Sequence, residues 1–252
     1  MRYFLELSYA GTNYHGWQSQ PNAVTVQETI EHALSLLLRT PVKITGAGRT
    51  DTGVHARQMF AHFDTEKPIN PLDLTYKLNS FLPADIAIYK IHPVKDEAHA
   101  RFDAVARSYQ YFINRHKNPF LTETSWYLTK DLDVDLMNQA AKILIQYKDF
   151  KSFSKTHTDV KTYLCNVQQA EWQIVDNQLI FNITANRFLR NMVRAIVGTL
   201  VNVGLHKISL DELIQIIESR NRSKAGFSVP AKGLFLTEII YPLQIFTAYG
   251  ND

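Results

Sequence analysis

One cysteine, Cys165, occurs in 252 residues. No disulfide can form within such a chain, which excludes a cross-linked secreted scaffold and fits a reducing, cytoplasmic location. No stretch reaches the roughly 18 uninterrupted apolar residues of a membrane helix, so no membrane partner is expected. Excess charge is also scarce. Lys and Arg total 27 against 24 Asp and Glu, a formal net charge of +3, too small to announce a polyanionic partner by itself. The nine histidines include two pairs at spacing seven, His55 with His62 and His92 with His99. Neither pair has the cysteine or acid cluster of a zinc site, and no metal is expected. Glycine is sparse, with 10 residues, and Gly46-Ala47-Gly48 lacks the third glycine and following helix of a dinucleotide fingerprint.

Hydrophobic residues at 45% and charged residues at 20% describe a globular protein long enough to bury a sizeable core. The distribution of charge says more than its sum. Arg101, Arg107, Arg115 and Lys117 share a stretch with one acid, Asp103; Arg187, Arg190 and Arg194 have none among them; Arg220, Arg222, Lys224 and Lys232 sit in another acid-free stretch. Local basic patches on a near-neutral protein suit an RNA partner that must be bound and released.

Residues 2–9 alternate Tyr3, Leu5, Leu7, Tyr9 against Arg2, Phe4, Glu6, Ser8, the period of a half-buried strand and not of a secretion signal. Residues 25–39 carry Val26, Ile30, Ala33, Leu34, Leu37 and Leu38 on one helical face, with Thr25 and Glu28 placed as a capping box. Strands are expected near 42–46, 57–64 and 86–92, and a helix over 71–80 opened by Asn70-Pro71. The order then recurs. Strands are expected at 104–114, 166–175 and 178–185, the last two joined by the turn Asp176-Asn177; helices at 133–147, 188–203 and 209–219; and a last strand at 234–241. Strand-helix-strand-strand-helix-strand, twice, predicts an α+β fold of two tandem ferredoxin-like, RRM-like halves, residues 1–100 and 101–252. The halves are expected to share one mostly antiparallel sheet, helices on one face and a catalytic cleft on the other.

The densest chemistry lies in Gly48-Arg49-Thr50-Asp51-Thr52-Gly53-Val54-His55-Ala56. Gly48 and Gly53 are expected to take backbone angles closed to other residues, and Arg49 beside Asp51 to keep a carboxylate ionised. That setting suits a nucleophile or base better than a proton donor.

This run resembles the signature loop of the tRNA pseudouridine synthase A family. Further blocks resemble the family in its own order: Tyr14-His15-Gly16-Trp17-Gln18 with Thr25-Val26-Gln27-Glu28, His99-Ala100-Arg101-Phe102, Arg107-Ser108-Tyr109-Gln110-Tyr111, Phe188-Leu189-Arg190-Asn191-Met192-Val193-Arg194 with Ile196-Val197-Gly198, and Lys232-Gly233-Leu234-Phe235-Leu236. The resemblance implies isomerisation of uridine to pseudouridine at positions 38, 39 and 40 of the tRNA anticodon arm, without a cofactor, by a homodimer whose two subunits both contact one tRNA. It implies Asp51 as the catalytic carboxylate, Arg194 as its partner and Tyr109 as the ring that stacks on the extruded uracil. Arg49 is a candidate to fill the vacated stack or grip the adjacent phosphate.

A helix through 188–203 would bring Arg187, Arg190 and Arg194 within a sector of about 60°, opposite Leu189, Met192, Val193, Ile196 and Val197. Arg187 and Arg190 then become phosphate contacts, with Arg101 and Arg107 as further RNA-binding candidates. Gly198, costly inside a helix, is expected to admit another segment at close range. Between Ser154 and the strand at 166, where many relatives carry an arginine, this chain reads Lys161-Thr162-Tyr163-Leu164-Cys165, so RNA contacts there are not carried over. Two other readings remain at this point: a non-catalytic RNA-binding sheet, and a ferredoxin-like enzyme acting on a small molecule.

Overall fold

The alternation at the start of the chain does form a strand, and part of its second face is covered as well. In a computed structural model that describes residues 1–156 and 160–247, Leu5 and Leu7 are wholly buried, and so is Phe4 on the opposite side. Phe4 was expected among the exposed set. Its cover comes from the far end of the sequence, where Tyr241 and Phe246 pack edge-on to its ring with centroids 5.3 and 6.2 Å away.

The chain divides into two units, Met1–Val105 with Leu236–Asp252, and Ala106–Phe235. In the first, β1 (Arg2–Tyr9), α1 (Val26–Leu38), β2 (Thr45–Gly46), β3 (His55–Asp64), α2 (Pro71–Phe81) and β4 (Ile86–Val94) follow in order. Strand β1 pairs antiparallel with β3 on one side and β4 on the other, and β2 adds two residues to β3. The helix starts lie where the caps predict them. The Thr25 hydroxyl accepts from Glu28 N, and the Asn70 side chain accepts from Leu72 N and Asp73 N ahead of Pro71, each satisfying donors that a helix leaves open at its first turn.

The second unit runs β5 (Ala106–Asn114), β6 (Trp126–Tyr127), α3 (Val134–Gln146), β7 (Val167–Val175), β8 (Gln178–Ala185), α4 (Met192–Gly204) and α5 (Leu210–Glu218). The last strand, β9 (Leu234–Ile240), begins in this unit and ends in the first. Strand β8 lies antiparallel between β5 and β7, while β6 runs parallel to β5, so the fold is α+β with mixed strand directions. Asp176 and Asn177 both take positive φ, 48° and 64°, the geometry a two-residue hairpin turn requires. Ser209 and Glu212 complete a capping box on α5.

Each unit ties a helix to a strand by the same device. Asn79 on α2 donates to Ile88 O and accepts from Ile88 N at 2.7 and 2.8 Å; Asn138 on α3 does so with Trp172 at 3.1 and 2.8 Å. A side-chain amide matches both the main-chain acceptor and the main-chain donor of one residue, so one residue sets the helix's position along the strand.

Candidate active site

The Gly48–Ala56 run forms a loop that ends in β3, braced from below. Thr50 is buried and shares a 2.9 Å hydrogen bond with the Tyr9 hydroxyl. Val54 N donates to Asp51 O at 3.1 Å, closing the turn, and the buried His55 accepts from Gly11 N at 3.1 Å through Nδ1. Gly53 has φ 76°, as expected. Gly48 does not use its freedom: it is absent from the positive-φ positions, and a Cβ there would meet nothing within 4 Å. A second glycine that the loop needs lies outside it. Gly16 has φ 89°, and a Cβ on it would stand 2.5 Å from Thr50 O, while Trp17 N donates to the same oxygen at 3.3 Å. The Tyr14–Trp17 segment is thus the floor of the acid loop, a role that spacing alone did not reveal.

Asp51 itself is half-buried. Arg49 is exposed and makes no ion pair with it among the described residues. With its neighbour Thr50 turned inward, Arg49 projects outward on the loop, a placement that suits a substrate contact better than a structural pair.

Several of the histidines serve structural bonds. His62 accepts from Ala100 N at 3.2 Å, and burial, helped by the charge of Arg2, pushes its pKa down to about 4, keeping the ring neutral as that bond requires. His92 pairs with Glu6 at 2.9 Å.

In the second unit β5 separates its two tyrosines. Tyr111 is wholly buried, donates to Pro230 O at 2.8 Å and packs edge-on to Trp126; burial raises its phenol far above the usual range, an effect the charge of Arg194 partly offsets. Tyr109, on the same face of the strand, is only half-buried, with its ring edge-on to Phe188 at 5.1 Å and 85°. Such a contact fixes one edge of the ring and steadies its plane.

The arginine row is not helical throughout. Helix α4 begins at Met192 and not near 188, because Asn191 takes a left-handed conformation with φ 66° and ψ 3°, which asparagine tolerates better than most residues. Arg187 and Arg190 therefore precede the helix, and the common 60° sector does not exist. Arg187 donates to Thr162 O at 3.2 Å, and Arg190 is exposed. The apolar positions stand, with Leu189, Met192, Val193, Ile196 and Val197 all buried. Gly198 also acts as expected: a Cβ there would lie 2.0 Å from Phe227 O.

Arg194, on the first turn of α4, is held by that same approaching segment. Its Nε donates to Val229 O at 2.7 Å, and Val229 N donates to Arg194 O at 3.3 Å. A guanidinium fixed through Nε keeps its two Nη groups as a fork, the geometry that matches a carboxylate.

Of the remaining basic candidates, Arg101 is exposed with its guanidinium 5.6 Å from the Phe102 ring centroid, and Arg107 donates to Asn186 O at 2.9 Å. Two of the basic stretches find distant acids in space. Arg115 pairs with Asp131, and Arg220 with Asp149 at 2.9 Å. Of the segment 155–165, residues 157–159 lie outside the described residues. Arg187 on Thr162 O and the Lys151 ammonium 5.4 Å over Tyr163 hold its later part.

Within the first unit, then, Asp51 stands on a braced loop; within the second, Tyr109 lies edge-on to Phe188 and Arg194 is tethered through Nε to Val229 O. The sequence pattern of the tRNA pseudouridine synthase family matches residues 7–103 and 140–242. The chain belongs to that family of isomerases. It is 54% identical over 246 residues to the tRNA pseudouridine synthase A of Parabacteroides distasonis, covering 97% of this chain and 98% of the relative. To the enzymes of that name from Porphyromonas gingivalis and a Thermoanaerobacter species it is 51% and 43% identical. Those matches cover 97% and 93% of this chain, and 99% and 97% of the relatives. The family pattern covers Asp51 and Arg194, while Tyr109 falls between its two matched stretches.

Proposed function

We propose that the chain isomerises uridine to pseudouridine at positions 38, 39 and 40 of the tRNA anticodon stem-loop, with Asp51 as the nucleophile or base. The observation that carries this is identity above 50% along nearly the whole length of relatives named tRNA pseudouridine synthase A. The two-part order of elements and the shared asparagine device support reading each half as ferredoxin-like. The reaction breaks the N1–C1′ bond, turns the uracil and joins C5 to C1′; the C5 hydrogen leaves to solvent and N1 acquires one. A hydrolase needs two carboxylates, one for the leaving group and one for water. Here the leaving group returns to the same sugar, and a single carboxylate suffices. Asp51 either attacks C1′ or removes the 2′-proton to give a glycal.

The base must leave its stack before C1′ can be reached, at a cost of a few kcal/mol. One aromatic stack returns about 1–3 kcal/mol, so Tyr109 with phosphate contacts from Arg49, Arg101, Arg107, Arg187 and Arg190 offsets it. Arg194 is the partner that keeps Asp51 ionised. The enzyme works in the cytoplasm as a homodimer on tRNA, with no cofactor; a monomeric mass by light scattering at micromolar concentration would remove the dimer from this account. The test of the reaction is release of tritium from tRNA labelled at C5 of uridine. An RNA-binding sheet or a small-molecule enzyme releases none.

The two tyrosines give a second test. Tyr109→Ala is expected to cut activity strongly and leave the melting temperature nearly unchanged, because the ring is half-exposed. Tyr111→Ala is expected to do the reverse, losing about 3–5 kcal/mol of stability as a buried aromatic is removed, with activity per folded molecule kept. Thermal melts beside single-turnover rates read both. Equal loss of rate at full folding in the two variants would withdraw the stacking role from Tyr109.

A further inference from the structure

The strap that holds Arg194 is itself held by a second arginine. Arg222 donates through Nη1 to Gly226 O at 3.0 Å and through Nη2 to the Ser228 hydroxyl at 2.9 Å. Ser228 Oγ also accepts from Asn191 Nδ2 at 2.6 Å, the left-handed residue from which α4 starts. Gly226 N donates to Thr199 Oγ1 at 2.8 Å, about two turns further along the helix. Residues 225–229 are thus laced to α4 at Asn191, Arg194 and Thr199, and Arg222 ties the strap's own carbonyl and hydroxyl together from the other side. Arg222 is half-buried and has no acid partner among the described residues; burial lowers its pKa. An arginine meant for phosphate keeps its fork in water. This one spends both Nη groups on neutral acceptors inside its own unit, where only a guanidinium has enough fixed donors to bridge them.

We propose that Arg222 is a positioning residue: it fixes the strap at residues 225–229, and through the Val229 carbonyl it sets the orientation of the Arg194 guanidinium. Its effect on catalysis rests on the reading of Arg194 as the partner of Asp51; its effect on geometry does not. Loss of Arg222 leaves Val229 O free to drift, and a displacement of about 1 Å in a supporting group can cost on the order of 100-fold in rate.

The experiment uses full-length Arg222→Ala and Arg222→Lys with unmodified tRNA, read in three ways. Saturated single-turnover rate is expected to fall roughly 10–100-fold in Arg222→Ala, with tRNA affinity and its salt dependence unchanged. The lysine variant, unable to bridge two acceptors, recovers little. Adding Arg222→Ala to Arg194→Ala is expected to cost nothing further. In ¹⁵N-arginine-labelled protein, the Nε–H resonance of Arg194, assigned by its loss in Arg194→Lys, is expected to shift and exchange faster once Arg222 is removed. Should Arg222→Ala fold poorly, Ser228→Ala removes the shared acceptor alone and is expected to give the same resonance shift and a several-fold slower rate. A salt slope flattened by about one unit at an unchanged saturated rate would make Arg222 a phosphate ligand and overturn the proposal. So would an unmoved Arg194 resonance. If that resonance moves while neither Arg222→Ala nor Arg194→Ala slows the reaction, the positioning stands, and it is the pairing of Arg194 with Asp51 that fails.

Discussion

Asp51→Asn is expected to reduce single-turnover pseudouridine formation by more than about 10³-fold, a loss of the order expected when the acting base or nucleophile is removed, and to leave tRNA affinity within a few-fold. The amide keeps the size and planarity of the carboxylate but offers neither a nucleophile nor a base at neutral pH. The loop also has supports that do not involve the charge. Its closing bond runs from Val54 N to the Asp51 main-chain oxygen, and its footing is the Thr50 hydroxyl on Tyr9 with Gly16 beneath Thr50 O. A loss of rate in Asp51→Asn reads as chemistry where thermal melts are superimposable on the wild type. Appreciable residual product in a single turnover would exclude Asp51 as the essential group, and weakened binding with normal chemistry would make it an RNA contact.

The sequence made legible those features whose cause is local. Thr25 and Asn70 marked helix starts because a side-chain oxygen three residues or fewer from an open N–H acts within one turn. Asp176-Asn177 marked a hairpin because both residues tolerate positive φ. Gly198 was informative for a similar reason, since a glycine in an apolar helix needs a neighbour to justify it. What stayed hidden depends on partners far along the chain. The burial of Phe4 comes from Tyr241 and Phe246, and the apparent freedom of Arg220 ends at Asp149, 71 residues away. The start of α4 misled because Leu189 keeps the helical period of Met192, Val193 and Ile196 although its burial owes nothing to a helix there. Asn191 breaks the run, and its amide is satisfied by Ser228, 37 residues later. Within the acid loop, adjacency of Arg49 and Asp51 in sequence suggested a pair that the turn does not make, and Gly48 suggested a strain that it does not carry.

Arg194→Ala is expected to collapse the rate of the chemical step while leaving the salt dependence of tRNA binding nearly intact, and the contrast separates its two conceivable roles. A phosphate contact contributes about one unit to the slope of log affinity against log salt, so removing one flattens that slope and weakens binding generally. A partner of the catalytic carboxylate does neither; it acts by keeping a half-buried acid ionised. The tether of Nε to Val229 O at 2.7 Å favours the second role, because a side chain pinned at Nε presents a fixed fork and gives up the reach a phosphate clamp uses. Lysine at this position keeps the charge but has neither the fork nor the Nε donor, so Arg194→Lys is expected to recover only part of the rate. Arg187→Ala and Arg190→Ala serve as controls. Both residues precede the helix, and each is expected to flatten the salt slope with its saturated rate preserved; Arg187, which also bonds Thr162 O, carries in addition a small loss of stability. Single-turnover rates at saturating enzyme, with affinities across a salt series, are the measurements for all four variants. If Arg194→Ala instead flattens the slope while its saturated rate stays near wild type, α4 is an RNA clamp and Asp51 draws its ionisation from another group.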